Sequence, residues 1–133
     1  MSNKKNAFTL IEMLVVITII IVLTAIGVVS YSAAGVKARD GRRMADLEKI
    51  RLALEMYRQT NQVYPTTGTV KDDLSPTYLQ SWPDDPKNFG YVYFDPTNYT
   101  YSLLAHMEDP KLANLTTGPS CGADVCNYQV KNP

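Results

Sequence analysis

The chain has 133 residues, enough for one domain with an extension but not for two full domains. Lysine plus arginine and aspartate plus glutamate number 13 each, so the formal net charge is zero and gives no general attraction to nucleic acid or anionic lipid. The charges are nonetheless segregated. Residues 37–58 carry seven basic and four acidic side chains, whereas residues 59–133 carry four basic and eight acidic ones. These two regions are expected to attract each other, within one chain or between copies.

The first predicted element is an apolar helix near the N-terminus. No charged residue occurs from Met13 to Val36, and a helix needs about 20 such residues to cross a bilayer. Lys4 and Lys5, with the small residues at 30–34, also fit a secretory signal that is removed. The apolar core of a signal has only about 7–15 residues, however, and this one is longer. We therefore favour a retained transmembrane helix.

One charge lies near the start of this apolar segment. Glu12 belongs to the stretch FTLIEMLVV, and a charged side chain at the centre of a bilayer costs about 2.5–3.5 kcal/mol on insertion scales. Two explanations remain open from the residues alone: the carboxylate is hydrated at the membrane edge, or it meets a positively charged partner.

An amphipathic helical segment follows without a break. Apolar side chains recur at spacings of three and four residues, as in one stripe of a helix: Met44, Leu47, Ile50, Leu54 and Tyr57. No proline precedes Pro65, and Asn61 gives a stop signal. One continuous helix is therefore predicted from about Phe8 to Thr60.

Beyond Pro65, turn-forming residues and short strand patterns replace the helical pattern. A short helix or turn is predicted within residues 70–82. The segments GYVYF and YTYSLLAHM predict a β-hairpin with a four-residue connection at 95–98, and a third strand is predicted at 127–131. The tyrosines suit a half-buried sheet face whose hydroxyls reach water. The sequence thus predicts an α+β fold in which a long N-terminal helix packs on a small antiparallel sheet.

Two cysteines allow a small covalent loop. Cys121 and Cys126 are separated by four residues, and a disulfide there would contribute roughly 2 kcal/mol in the chain-entropy model. Two free thiols are the alternative, and we favour the disulfide because a membrane segment could export this region. A zinc site is disfavoured because His106 is the only histidine.

The remaining residues give little indication of a catalytic site. His106 has no nucleophile at a useful spacing, so a packed or surface histidine is the better interpretation. The aspartates at 72–73 and 84–85 indicate turns, and they lack the regular alternation of oxygen ligands that a calcium loop needs. We expect no enzyme activity, no metal and no cofactor, with calcium in these loops as a poorly supported alternative.

Three stretches carry a family resemblance that covers most of the chain. NAFTLIEMLVV closely resembles the N-terminal signature of type IV prepilins and type II secretion pseudopilins. LEKIRLALEMYRQTNQVYPTT and LQSWPDDPKNFGYVY are similar to the helix end and the sheet entry of the major pseudopilin. The resemblance implies cleavage by a prepilin peptidase between Ala7 and Phe8 and methylation of the new amine. It also implies that Glu12 meets the Phe8 amine of a neighbouring subunit.

The resemblance also implies a division of the chain. The expected parts are a leader at residues 1–7, a transmembrane and filament-core helix at 8–36, its amphipathic continuation at 37–64 (the stem) and a loop and sheet region at 65–133 (the head). Ala7 departs from the family pattern, which usually has glycine before the cut. The family's calcium-loop pattern is not recognisable near the C-terminus, where the loop between Cys121 and Cys126 lies.

The function implied is that of a structural subunit of a type IV pilus-like or type II secretion pseudopilus filament. The missing calcium pattern slightly favours a pilus or competence subunit. Expected partners are copies of the chain, related pilin-like subunits, the prepilin peptidase, a membrane assembly platform and, before assembly, the lipid bilayer. The expected location is the bacterial inner membrane, crossed once with the head outside, and then a periplasmic or cell-surface filament. The alternatives are a membrane-anchored extracytoplasmic binding module and a secreted soluble protein.

Overall fold

The computed structural model describes residues 8–94, 97 and 99–132. The elements within these residues are helices α1 (Leu10–Asn61) and α2 (Val70–Leu74), and strands β1 (Val92–Phe94), β2 (Ser102–Ala105), β3 (Ser120–Cys121), β4 (Asp124–Val125) and β5 (Tyr128–Lys131). The predicted α+β class is confirmed. The chain divides into two compact units, with the division between Gly35 and Val36.

Helix α1 has 52 residues and follows the predicted bounds closely. The predicted helix covered Phe8 to Thr60, and the glycines at 27, 35 and 41 do not interrupt it. The helix stops at Asn61, four residues before Pro65, and Gln62 adopts a positive φ of 66° directly after it. The absence of proline and the presence of these stop signals therefore explain both the length and the end of α1.

The stem packs on the head along one stripe, which we call the inner stripe. Its members recur at spacings of three and four residues: Asp40, Arg43, Leu47, Ile50, Leu54 and Tyr57. Leu47, Ile50 and Leu54 are at most 2% exposed, as predicted. Met44 was wrongly placed in the stripe and is 40% exposed, because the packed face continues towards the N-terminus through two charged residues instead.

The larger sheet is antiparallel with strand order β1-β2-β5. Its register pairs Val92 with Leu104 in the first ladder and Leu104 with Gln129 in the second. The predicted hairpin and third strand are thus confirmed. The four-residue connection was too short, because the last β1–β2 pair joins Phe94 to Ser102. Residues 95, 96 and 98 of that connection lie outside the described residues.

The tyrosines of the sheet are buried more deeply than predicted. Tyr91, Tyr93 and Tyr101 are at most 6% exposed and belong to the core under the stem. Their hydroxyls donate to protein groups, because hydroxyls this deeply buried need a partner. The Tyr91 hydroxyl donates to Asp46 Oδ2 at 3.1 Å, and the Tyr93 hydroxyl donates to the Pro65 carbonyl at 2.7 Å.

Candidate assembly site

The start of α1 places Glu12 against the residue that precedes the helix. Thr9 Oγ1 accepts a hydrogen bond from the Glu12 backbone N–H at 3.3 Å. In return, Glu12 Oε2 accepts bonds from the Thr9 backbone N–H at 2.8 Å and from the Thr9 hydroxyl at 2.7 Å. This reciprocal pattern is a capping box, which satisfies N–H groups that a helix start leaves unbonded. Among the described residues no donor reaches Glu12 Oε1, so one carboxylate oxygen remains for a further partner.

The helix that follows presents apolar side chains on every side. Phe8 is 77% exposed, and the large apolar residues from Leu10 to Val28 that are described each expose about half of their surface or more. Helix α1 contains a window long and apolar enough to cross a membrane, and none of that window is buried within the chain. Such a surface needs lipid or other helices to cover it. Ala7, the residue before the predicted cut, lies outside the described residues.

The stem and the head are joined by a buried guanidinium. The Arg43 side chain is fully buried, and its Nε and Nη2 donate to the two oxygens of Asp85 at 2.6 and 3.2 Å. Its Nη1 donates to Asp40 Oδ1 at 2.6 Å and to Glu108 Oε1 at 2.9 Å. A buried ion is tolerated only with such complete pairing, so these contacts fix the packing of the stem on the head.

Glu108 binds two more positively charged side chains at the edge of this group of contacts. Both of its oxygens accept from Arg39, at 2.7 and 2.6 Å, and Oε2 also accepts from Lys87 at 2.9 Å. We call the whole set the stem–head cluster, and its members are Arg39, Asp40, Arg43, Asp85, Lys87 and Glu108. Three positive and three negative side chains balance there. The predicted attraction between the two charged regions therefore acts within one chain.

The same carboxylates hold backbone segments of the head. Asp40 accepts from the backbone N–H groups of Glu108 and Asp109, at 3.0 and 2.8 Å. Asp85 accepts from those of Lys87 and Phe89, at 2.7 and 3.2 Å. Asp85 is thus a turn carboxylate, as predicted, but it is also a direct partner of the stem. Loss of either carboxylate would therefore free one loop of the head as well as break its ion pair with Arg43.

The pKa values in this cluster make the stability of the head sensitive to acid. Burial raises the pKa of Asp85, but hydrogen bonds from Arg43 and from backbone N–H groups outweigh it, so the net pKa lies below the usual value. A hydrogen bond from Arg39 lowers the pKa of Glu108 strongly. Burial acts in the opposite direction, and a hydrogen bond from Lys87 lowers the pKa further. A carboxylate whose folded pKa is lowered stabilises the fold above its unfolded pKa of about 4.

We expect the melting temperature of the full chain in detergent to hold steady from about pH 7 to about pH 5 and to fall as the pH drops below about 4. The fall arises because the unfolded carboxyls take up protons before the folded ones do. Near-ultraviolet circular dichroism of the tyrosines measures it. The matched control is Arg43→Met, in which the acid-dependent part of the loss should shrink. A melting temperature unchanged down to about pH 2 would contradict this electrostatic account.

The C-terminal part of the head contains the predicted disulfide. Cys121 and Cys126 are bonded, with Cα atoms 5.1 Å apart, and both side chains are buried. Cys121 is the last residue of β3 and Cys126 directly follows β4, so the disulfide closes the hairpin that these strands form. At its turn, Gly122 has a φ of +75°, and a Cβ there would lie 2.6 Å from the Phe89 carbonyl oxygen. Glycine is therefore required for the hairpin to lie against the loop that follows Asp85.

The other residues considered from the sequence have structural surroundings. His106 Nδ1 lies 2.8 Å from the Val125 carbonyl oxygen, which links the end of β2 to β4. Within the described part of the chain, no three histidine, cysteine or acidic side chains converge as a metal site would require. Sequence reasoning missed Asp40 and Arg43. Their spacing of three, continued by Leu47 and Ile50, was the signal that could have revealed them.

Comparisons with known proteins agree with this arrangement. The family model for the "Prokaryotic N-terminal methylation motif" matches residues 2–28. Type II secretion system core protein G of Escherichia coli K12 is 31% identical, with 84% of this chain and 87% of that protein covered. The protein of the same name from Pseudomonas aeruginosa is also 31% identical, with 95% and 96% covered. The one from Vibrio cholerae is 28% identical, with 98% and 96% covered.

No solved structure gives a significant match to this chain. The sequence relatives nevertheless extend over the helix and the head together, and they carry one common name. The methylation-motif match covers the segment that contains Phe8, Thr9 and Glu12. This chain belongs to the family of type II secretion system core protein G, a family of structural pseudopilins.

Proposed function

We propose that this chain is a structural subunit of a type II secretion pseudopilus, made as a prepilin and cleaved between Ala7 and Phe8. The observation that carries the proposal is an exposed apolar helix with a single carboxylate, Glu12, in its first turn. The relatives favour the secretion pseudopilus over the pilus or competence alternative. A structural subunit needs no active site, so no enzymatic role is assigned.

The proposed assembly uses the apolar helix twice. Before assembly, the segment from Met13 to Val36 crosses the inner membrane once, with Glu12 near the hydrated cytoplasmic side. The disulfide between Cys121 and Cys126 supports a head outside the cytoplasm, because disulfides persist in oxidising compartments. After assembly, the same helical surface packs against helices of other copies and of related pilin-like subunits, in a periplasmic filament.

The proposed role of Glu12 is to pair with the methylated amine of Phe8 in a neighbouring subunit. Its Oε2 atom is bonded to Thr9 within the chain. Its Oε1 atom then offers an acceptor to an ammonium group from outside. A buried carboxylate without such a partner costs several kcal/mol, so the pair can determine which packing of the helices is stable.

Other partners and the cofactor state are proposals as well. The leader at residues 1–7 is proposed to be recognised by a prepilin peptidase, and the mature chain to be handed to a membrane assembly platform. The head is proposed to fold without a metal ion, because the disulfide and the stem–head cluster already hold its loops. The lipid bilayer is the proposed environment of the helix before assembly.

Changing the residue before the cut tests the proposed processing. Ala7→Glu should leave most of the chain in the membrane as the full-length precursor, because a bulky charge replaces a small residue at the scissile bond. The matched control is Ala7→Gly, which restores the usual residue and should be processed at least as completely as the wild type. Intact mass of the membrane-extracted chain measures both. Complete removal of residues 1–7 from Ala7→Glu would contradict the proposed site.

A further inference from the structure

A cleft of about 500 Å³ lies between the stem and the head. One wall comes from the stem and includes Arg42, Asp46 and Lys49, and the other wall comes from residues 79–84 of the head. All of these residues belong to the same compact unit of the chain. Clefts that hold small ligands have volumes of about 300–1,000 Å³. This cleft is therefore large enough for a ligand, and its lining indicates which chemistry would fit.

The charges that line the cleft cancel. Arg42 and Lys49 are positive, and Asp46 and Asp84 are negative. Lys49 Nζ donates to Asp46 Oδ1 at 2.9 Å, and Arg42 Nε lies 3.7 Å from Asp46 Oδ2. A lining without net charge gives no general attraction to a strongly acidic or strongly basic ligand. It favours a ligand that is polar but uncharged.

The apolar part of the lining is centred on Trp82, the only tryptophan of the chain. Its half-buried side chain packs against the core of the head, and Lys71 Nζ lies 5.6 Å from the centre of its ring. These contacts hold the indole in place while part of its surface lines the cleft. Leu79 and Pro83 add further apolar surface. An aromatic surface fixed in this way suits the apolar C–H face of a sugar ring.

The same cleft is also lined by polar side chains with free hydrogen-bonding capacity. Gln80, Ser81 and Asp84 are exposed, and within the described part of the chain their side chains make no hydrogen bond. Among the same residues, Arg42 makes only the long ion pair to Asp46, so its N–H groups are available as well. Together these groups offer both donors and acceptors. A hydroxyl group needs both, because it donates one hydrogen bond and accepts others.

From these observations we infer that the cleft binds a neutral oligosaccharide. One sugar ring lies on Trp82, and its hydroxyl groups bond to the side chains of Gln80 and Asp84, with Ser81 and Arg42 as further partners. This binding goes beyond the proposed function, because it does not depend on assembly into a filament. A head outside the cytoplasm, as proposed above, would meet glycans there.

Fluorescence of the full chain in a detergent without a sugar headgroup tests the inference, because the single tryptophan, Trp82, reports on the cleft directly. The probes are the β-linked tetramer of N-acetylglucosamine and maltotetraose, which are both uncharged. We expect at least one of them to change the emission of Trp82 in a saturable way, and the tighter ligand identifies the class of glycan. The control ligand is an N-acetylated and C-amidated tetrapeptide of glycine and serine. No saturable change with either sugar, or tighter binding of the peptide, would overturn the inference.

Removal of the free polar groups gives the second readout. Gln80→Ala with Asp84→Ala should weaken sugar binding at least about tenfold, because two hydrogen-bonding groups are lost while Trp82 remains as the reporter. Both residues are exposed, so the melting temperature of the head should change little. The matched control, Gln59→Ala with Asp72→Ala, removes the same types of exposed side chain outside the cleft and should bind as the wild type does. Equal affinities of the Gln80 and Asp84 variant and the wild-type chain would overturn the inference.

Substitutions of Trp82 test the stacking itself, with isothermal titration calorimetry as the measurement because the fluorescent reporter is lost. Trp82→Phe keeps an aromatic ring and should retain part of the affinity. Trp82→Leu keeps only apolar volume and should bind the sugar at least about tenfold more weakly than the wild type. Thermal melting checks that both variants are folded. Wild-type affinity in Trp82→Leu would overturn the inference, and it would leave the proposed filament function untouched.

Discussion

Glu12→Ala is expected to insert in the membrane and to fold its head, yet to yield at least about 100-fold less filament than the wild-type chain. If the proposed pairing holds, the amine of a neighbour's Phe8 would then be buried without a carboxylate, at a cost of roughly 3–5 kcal/mol. Burial of the apolar helix surface contributes a large free energy, but this contribution is non-directional. It therefore cannot replace the ion pair in determining how the subunits pack. Filament yield in a sheared cell fraction measures the effect.

Glu12→Gln separates charge from size at the same position. The amide keeps the shape of the side chain and a hydrogen-bonding oxygen for Thr9, but it offers no negative charge to an ammonium. We expect assembly to fail or to be severely impaired. The matched control is Glu48→Gln on the stem, whose side chain is 52% exposed and should tolerate the change. Wild-type amounts of filament from both Glu12 variants would show that Glu12 only marks the membrane edge.

Arg43→Met is expected to lower the free energy of unfolding of the head by roughly 3–5 kcal/mol. The guanidinium is fully buried and donates to Asp40, Asp85 and Glu108. Its removal leaves carboxylates without their central partner, and the loops held by those carboxylates loosen. Arg43→Lys should restore only part of the loss, because a single ammonium cannot reproduce the paired bonds to Asp85.

Thermal melting of the full chain in detergent, followed by near-ultraviolet circular dichroism, measures this destabilisation. The matched control is Arg42→Met at the neighbouring position, where the side chain is 61% exposed. Such a surface change usually alters stability by no more than about 0.5 kcal/mol. Equal melting temperatures for the two methionine variants would mean that the stem–head cluster contributes nothing that an apolar side chain cannot replace.

The helix and the β-hairpin could be predicted because local signals specify them. A run without charge and without proline defines α1, and alternating residues define β1 and β2. The inner stripe was predicted only where it is apolar. Asp40 and Arg43 continue it with charged side chains, which are rarely buried unless they are paired. Their partners, Asp85 and Glu108, come from loops 42 and 65 residues further along the chain than Arg43.

Contacts between distant parts of the chain also explain why the burial of the tyrosines was not predicted. Tyrosine in an alternating strand predicts one apolar face but not the depth of its burial. Tyr91 can be buried because its hydroxyl donates a hydrogen bond to Asp46. Tyr93 can be buried because its hydroxyl donates a hydrogen bond to the Pro65 carbonyl. Both acceptors belong to distant parts of the sequence. Contacts of this kind depend on the packing of the stem on the head, which periodicity alone does not determine.

The intact mass of the subunit in purified filaments tests the central claim most directly. We expect a chain that begins at Phe8, has lost residues 1–7 and carries a methyl group on its new amine. The disulfide between Cys121 and Cys126 should reduce that mass by two hydrogens. A filament subunit that retains Met1 or Ser2 would contradict the proposed processing, and a secreted chain that lacks more than the first 30 residues would contradict the filament function itself.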